Sequence, residues 1–321
     1  MRRIVIRETR STAASRLPEH MRLSDATTLI FRDHGGVREK LQTSRGYERD
    51  ARQFCLYLHN PPIDEVRIDH IERFLHEMEL VGYSRNAVQM KACALRKLFV
   101  GLRRRGYNVL DPKEIPLPRR EFTQARVATD EQIGKVLDIF AASPQRHCRI
   151  RNRAILLLLR DTGMRCGELQ ALDLGDLSLE ERKATIKTKK SRGMRPVRCV
   201  FWGPDCNEAL KAWVDERQRF LSKRGVNDTA FFLVSHRDKG VSRIGPSAVG
   251  IAFRKASWAA GVPILNPHSL RHRKGHMLAK RGANNSTISL LLGHSSVASS
   301  YTYTMLNDSE LEAVARQYGT E

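Results

Sequence analysis

Apolar residues recur along most of this chain at the spacing of a helix face. Tyr47, Ala51, Phe54 and Leu58 stand three or four apart, and Ile71, Phe74, Leu75 and Met78 do so again. Such stripes predict amphipathic helices that bury one side. Asp69 stands where an N-cap of the second stripe would fall. Ser84 is placed to cap a third helix carrying Leu95, Leu98, Phe99 and Leu102. That helix runs into Arg103, Arg104 and Arg105 and stops at Gly106. Cations suit a helix C-terminus, and they suit a polyanion backbone equally well.

The pattern breaks at Pro112, Pro116 and Pro118, where Arg119 and Arg120 add charge, so this stretch reads as an interdomain linker. Thr129 with Gln132 three residues later forms a capping-box signature, which predicts a new helix start. An apolar helix over 150–160 ends at Gly163, and a helix resumes over 168–172. The period then changes. Leu177 and Leu179, Ala184 and Ile186, and Val197 and Cys199 alternate at period two, with turns at 180–182 and 191–193. This predicts one small antiparallel sheet. Helices return over 206–223, 246–260, 268–281 and 286–292, and a short one ends near Tyr303. The expected fold is mainly α with a small antiparallel β-sheet. It comprises a basic N-terminal extension over 1–24, a helical domain over 25–118 and a second domain over 119–321.

Charge sharpens this picture. The 321 residues carry 56 Lys and Arg against 35 Asp and Glu, a net +21. Such an excess repels itself in a compact state, and polyanion binding is its commonest use. No run is apolar and long enough for a signal peptide or a membrane span, and no lysine-rich amphipathic helix points to a membrane surface. The six cysteines, at 55, 93, 148, 166, 199 and 206, form no CxxC pair and read as reduced thiols of a cytosolic protein.

Four separated segments each set a cation or proton-transfer group beside a turn. In the first, residues 162–169, Arg165 stands between Gly163 and Gly167, where its side chain can be aimed; the plainer alternative is a loop arginine paired with Glu168. The second, residues 187–195, is a hairpin tip holding Lys187, Lys189, Lys190, Arg192 and Arg195, suited to a DNA groove or simply to solvent. In the third, Pro267 before a helix start puts His268 and Arg271 one turn apart on one face. His268, His272 and His276 would also share a face, but the neighbouring Arg271, Arg273 and Lys274 oppose a dication. The fourth joins the turn at Gly293 and His294 to Tyr301 and Tyr303.

Together these segments resemble the tyrosine recombinase family, also called phage integrases. That family carries a Gly-x-Arg-x-x-Glu-Leu segment, a lysine on a β-hairpin, a His-x-Leu-Arg-His segment, a Leu-Gly-His-Ser-Ser segment and a tyrosine nine residues after the last histidine. All occur here in order. The resemblance covers the second domain throughout. The helices of the first domain look like the family's SAM-like core-binding domain, as in simple two-domain, Xer-like or transposase-like members. It implies Arg165, Lys190, His268, Arg271 and His294 as catalytic residues and Tyr303 as nucleophile. Tyr301 competes with Tyr303, although two residues apart on a helix the rings point nearly opposite ways. Lys187 and Lys189 compete with Lys190. Arg273, Lys274 and Gly275 depart from the family's small and apolar residues, and Arg198 stands in place of a usual proline.

The chemistry suits these residue types. Two arginines can fork onto the non-bridging oxygens of a phosphodiester as negative charge builds there. The histidines can donate hydrogen bonds or move protons. The tyrosine attacks, and the lysine protonates the leaving 5′-oxygen. The resemblance further implies a 3′-phosphotyrosine intermediate, strand exchange through a Holliday junction, and a homo-tetramer on paired double-stranded DNA sites. Accessory directionality proteins, no cofactor and a cytoplasmic, nucleoid-associated location are also expected. A type IB topoisomerase-like enzyme and a catalytically silent DNA-binding regulator of the same fold are the alternative readings.

Overall fold

A computed structural model describes residues 21–32, 41–121, 126–187, 197–236 and 240–293. The chain divides into two compact units, Met1–Thr123 and Gln124–Glu321. No helix among the described residues is long and apolar enough to cross a membrane.

The first unit holds four helices among its described residues: α1 (Leu23–Arg32), α2 (Leu41–Tyr57), α3 (Ile68–Leu80) and α4 (Arg85–Arg103). The stripes read from sequence turn inward as one core. Phe54, Ile71, Phe74, Leu95, Leu98 and Phe99 are all fully buried. Phe54 and Phe74 meet edge to face, with centroids 5.1 Å apart, the arrangement ring quadrupoles favour. Ser84 caps α4 as expected, accepting from the backbone N–H of Ala87 at 3.3 Å. Asp69 does not cap α3. That place belongs to Arg67, and Asp69 lies inside the first turn, where its charge complements the helix dipole. The proline-rich stretch is no free linker up to residue 118. Ile115 is fully buried in the first unit, and Arg96 on α4 donates to the carbonyls of Lys113 and Ile115.

The second unit is built around α6 (Arg146–Thr162). Residues 154–159 are buried without interruption, the signature of a helix enclosed on all sides. Its neighbours are α5 (Asp130–Ala141), α8 (Pro204–Ser222) and α10 (Pro267–Lys280). The helices α7 (Cys166–Ala171), α9 (Pro246–Ala259) and α11 (Asn285–Leu292) complete the set described. Thr129 and Gln132 form the expected reciprocal cap of α5. Gly163 ends α6 in the left-handed conformation, φ 61°.

The expected sheet is present: β1 (Leu177–Ser178), β2 (Lys183–Lys187) and β3 (Val197–Phe201), antiparallel in that order. Its third strand, however, faces the other way from what the apolar alternation suggested. Ile186 pairs with Arg198 and Ala184 with Val200, so Arg198 and Val200 turn inward while Val197 and Cys199 are exposed. A second sheet, β4 (Leu233–His236) with β5 (Gly240–Arg243), was not anticipated. Two four-residue strands with little alternation give almost no periodic signal. The buried Leu233 and a bond from Arg151 to its carbonyl anchor them.

Candidate active site

Each candidate site residue among the described ones is aimed by a local backbone device. Arg165 is the N-cap residue of α7, in extended conformation just after the Gly163 turn. Its side chain therefore leaves the loop rather than a helix face, and 38% of it remains exposed. Both sequence alternatives hold at once here. Arg165 is accessible, and it also pairs with Glu168 at 3.1 Å while its backbone N–H donates to the same carboxylate at 2.8 Å. Asn266 caps α10 by accepting from the N–H groups of His268 and Ser269, both at 2.9 Å, with Pro267 at the first helical position. This entry exposes His268 and sends Arg271, one turn on, into the interior, where it is 3% exposed.

These segments converge on Gly163. Arg271 Nη1 donates to the Gly163 carbonyl at 2.8 Å, across 108 residues of sequence. A Cβ at Gly163 would lie 2.8 Å from Leu292 on α11 and 3.1 Å from the Lys274 stem on α10. The turn that presents Arg165 thus lies against the helix of His268 and Arg271 and against the helix end preceding His294. Arg198 adds the strand. It grips both oxygens of Glu168 at 2.9 Å and donates to the Leu291 carbonyl at 3.2 Å.

The electrostatics agree with this grouping. The His268 imidazole is held below the usual histidine range by partial desolvation, then by the charges of Arg271 and Arg165. His272, whose ring meets His268 edge to face at 4.2 Å, is pushed down to about 4 by burial, with His268, His276 and Arg271 adding to it. Burial alone would raise the Glu168 carboxyl. The Arg198 bonds and charge, with smaller help from Arg165, reverse this and hold it below the ordinary range. The family-atypical residues of α10 are also accommodated. Arg273 pairs with Asp130 at 2.6 Å, the Lys274 stem packs on the Gly163 turn, and Gly275 is buried.

Of the residues singled out from sequence, the structure brings together Arg165, His268 and Arg271. Lys187 ends β2 on its exposed side. Lys189, Lys190, His294, Tyr301 and Tyr303 lie outside the described residues. Sequence reasoning missed the Arg198–Glu168 clamp. Its one available signal was a charge in the middle of an otherwise apolar strand.

The chain thus has a helical first unit and a second unit in which Arg165, His268 and Arg271 lie near one another. Residues 127–310, more than half of the chain, match the phage integrase family, and residues 38–106 match the phage integrase N-terminal SAM-like domain. The chain belongs to the phage integrase family of tyrosine recombinases, enzymes that cut and rejoin DNA. Tyrosine recombinase XerC of Roseiflexus castenholzii is 29% identical over 269 residues, covering 83% of each chain. Tyrosine recombinase XerA of Pyrococcus furiosus is 27% identical over 247 residues, 76% of this chain and 78% of that one. The fold is also that of the Tn1549 transposon integrase in complex with a circular intermediate DNA. There the TM-score is 0.65 at 19% identity, over 92% of this chain and 99% of the other. XerH site-specific recombinase bound to a palindromic difH substrate gives a TM-score of 0.64 at 21% identity, over 87% and 81%.

Proposed function

We propose that this protein is a site-specific DNA recombinase whose second unit binds a scissile phosphate with Arg165 and Arg271 and attacks it with Tyr303. The reading is carried by the convergence of Arg165, His268 and Arg271 on the Gly163 turn, fixed by the 2.8 Å bond from Arg271 to the Gly163 carbonyl. Guanidinium groups suit this task because they present planar donor pairs to two phosphate oxygens and stay charged at any working pH. Their positions are set before substrate arrives, so they need no reorganisation as charge develops.

The Tyr303 phenol loses its proton as its oxygen attacks phosphorus. The bond from phosphorus to the 5′-oxygen breaks, and a 3′-phosphotyrosine forms. Lys190 on the hairpin delivers a proton to the leaving 5′-oxygen, and His268 and His294 donate to the phosphate or accept the phenolic proton. The phosphotyrosine retains the bond energy, so a 5′-hydroxyl from a second strand can reverse the reaction and reseal the backbone. Four protomers on two double-stranded DNA sites would exchange strands in pairs through a Holliday junction, with accessory proteins setting direction. The net charge of +21 supplies the long-range attraction to DNA.

The test is a nicked DNA substrate from which the cleaved end diffuses away. The wild-type chain is expected to accumulate a covalent protein–DNA adduct, lost in Tyr303→Phe and kept in Tyr301→Phe. Adduct formation unchanged by Tyr303→Phe would overturn the assignment of the nucleophile.

A further inference from the structure

Arg198 occupies a strand position where alternation favours an apolar side chain, and only 10% of its side chain is exposed. A buried guanidinium needs partners matched to its shape. Two of its nitrogens fork onto the two oxygens of Glu168, each at 2.9 Å, and a third donates to the Leu291 carbonyl at 3.2 Å. The guanidinium also lies so close to Gly293 that a Cβ there would run into it. One side chain therefore ties β3 to the Gly163–Glu168 turn and to the C-terminal end of α11.

The carboxylate it holds is the one beside Arg165. Without that fork the carboxylate, which already accepts from Arg165 at 3.1 Å, would hold this guanidinium more tightly and cancel more of its field. The Arg198 fork occupies both oxygens at 2.9 Å, and Arg165 adds a longer side-chain bond of 3.1 Å to one of them. The second attachment, at Leu291, sets the end of α11 against the same framework, and the family pattern has a proline where Arg198 stands. We propose that Arg198 is a positioning residue for DNA cleavage: it takes up most of the charge of Glu168, so that this carboxylate competes less with the scissile phosphate for Arg165, and it fixes the Gly293 turn to the Arg165 loop. This rests on the reading of Arg165 as a phosphate-binding residue.

The experiment measures single-turnover adduct formation on nicked DNA by the full chain, with DNA affinity and melting temperature followed in parallel. Arg198→Met is expected to slow adduct formation about 100-fold. DNA affinity should stay within about threefold, since the Arg198 side chain is buried and bonded within the protein. Adding Glu168→Gln to Arg198→Met removes the uncompensated carboxylate and is expected to restore the rate about tenfold, a non-additivity typical of a directly coupled pair. Arg198→Lys keeps the charge without the fork. It is expected to fold with a near-native melting temperature and to cleave at an intermediate rate, which carries the test should Arg198→Met unfold.

Wild-type cleavage rates in Arg198→Lys and Arg198→Met would overturn the proposal. So would losses that follow only the fraction of folded protein, with no recovery on adding Glu168→Gln. Wild type and Arg165→Ala, run alongside, separate the two claims. An adduct in wild type that is lost in Arg165→Ala upholds the reading of Arg165 whatever Arg198 does, and no adduct in wild type overturns both.

Discussion

His268 and Arg271 share one turn of α10 yet meet their surroundings differently. Arg271 is enclosed and oriented by the Gly163 carbonyl, whereas His268 is an exposed residue whose ring packs on His272 near the charges of Arg271 and Arg165. The difference has a measurable consequence. In the free protein, partial desolvation and the charges of Arg271 and Arg165 hold His268 below the usual histidine range, which favours its neutral form. His272, against its ring, is neutral at pH 7, with a pKa of about 4. A bound phosphate brings negative charge next to these cations and raises the His268 pKa. The complex then binds more protons than the free protein within the window between the two values, so binding takes up a proton and affinity rises as pH falls through it. DNA affinity measured between about pH 5.5 and 8 is expected to show this slope in wild type and to lose it in His268→Gln. Equal slopes in both would remove His268 from the phosphate.

Among elements, the turn from α6 to α7 holds the most information. Gly163 has φ 61° and no room for a Cβ against Leu292 and Lys274. Gly163→Ala is expected to destabilise the second unit by about 1–3 kcal/mol, seen as a lower denaturant midpoint. Gly167, four residues on, has nothing within 4 Å of a Cβ, so Gly167→Ala is expected to leave the midpoint unchanged or raised. Equal effects at the two glycines would contradict the packing described.

Much of this level is written in local sequence. The caps at Ser84 and at Thr129 with Gln132, and the stop at Gly163, are short-range chemistry and hold in the structure. The phase of β3 is not local. Val197 and Cys199 look like an inward pair, but the burial of Arg198 is decided by Glu168, thirty positions away. Capping by Arg67 in place of Asp69 is also not written in local propensity, since Arg67 is a poor cap by type. The sheet of β4 and β5 was illegible because its strands are too short to show a period. Arg165, His268 and Arg271 were singled out because motif order carried them, and the structure sets them near one another. The Glu168 clamp was legible only by half, as a pairing with Arg165.

At the scale of the whole molecule, two units with separate cores carry an excess of 21 positive charges. Charge of that size explains attraction to DNA without explaining where DNA is cut. The central claim is narrower: Arg165 and Arg271 exist to meet the charge on one phosphate. It is tested most directly by placing a neutral methylphosphonate at the scissile position and comparing single-turnover adduct formation with that on ordinary DNA. On ordinary DNA, Arg165→Ala and Arg271→Ala are each expected to lose about 100-fold or more in rate. On the neutral linkage, which starts without the ground-state anion and lacks one of the two non-bridging oxygens, most of that deficit should vanish. Deficits of the same size on both substrates would contradict the account.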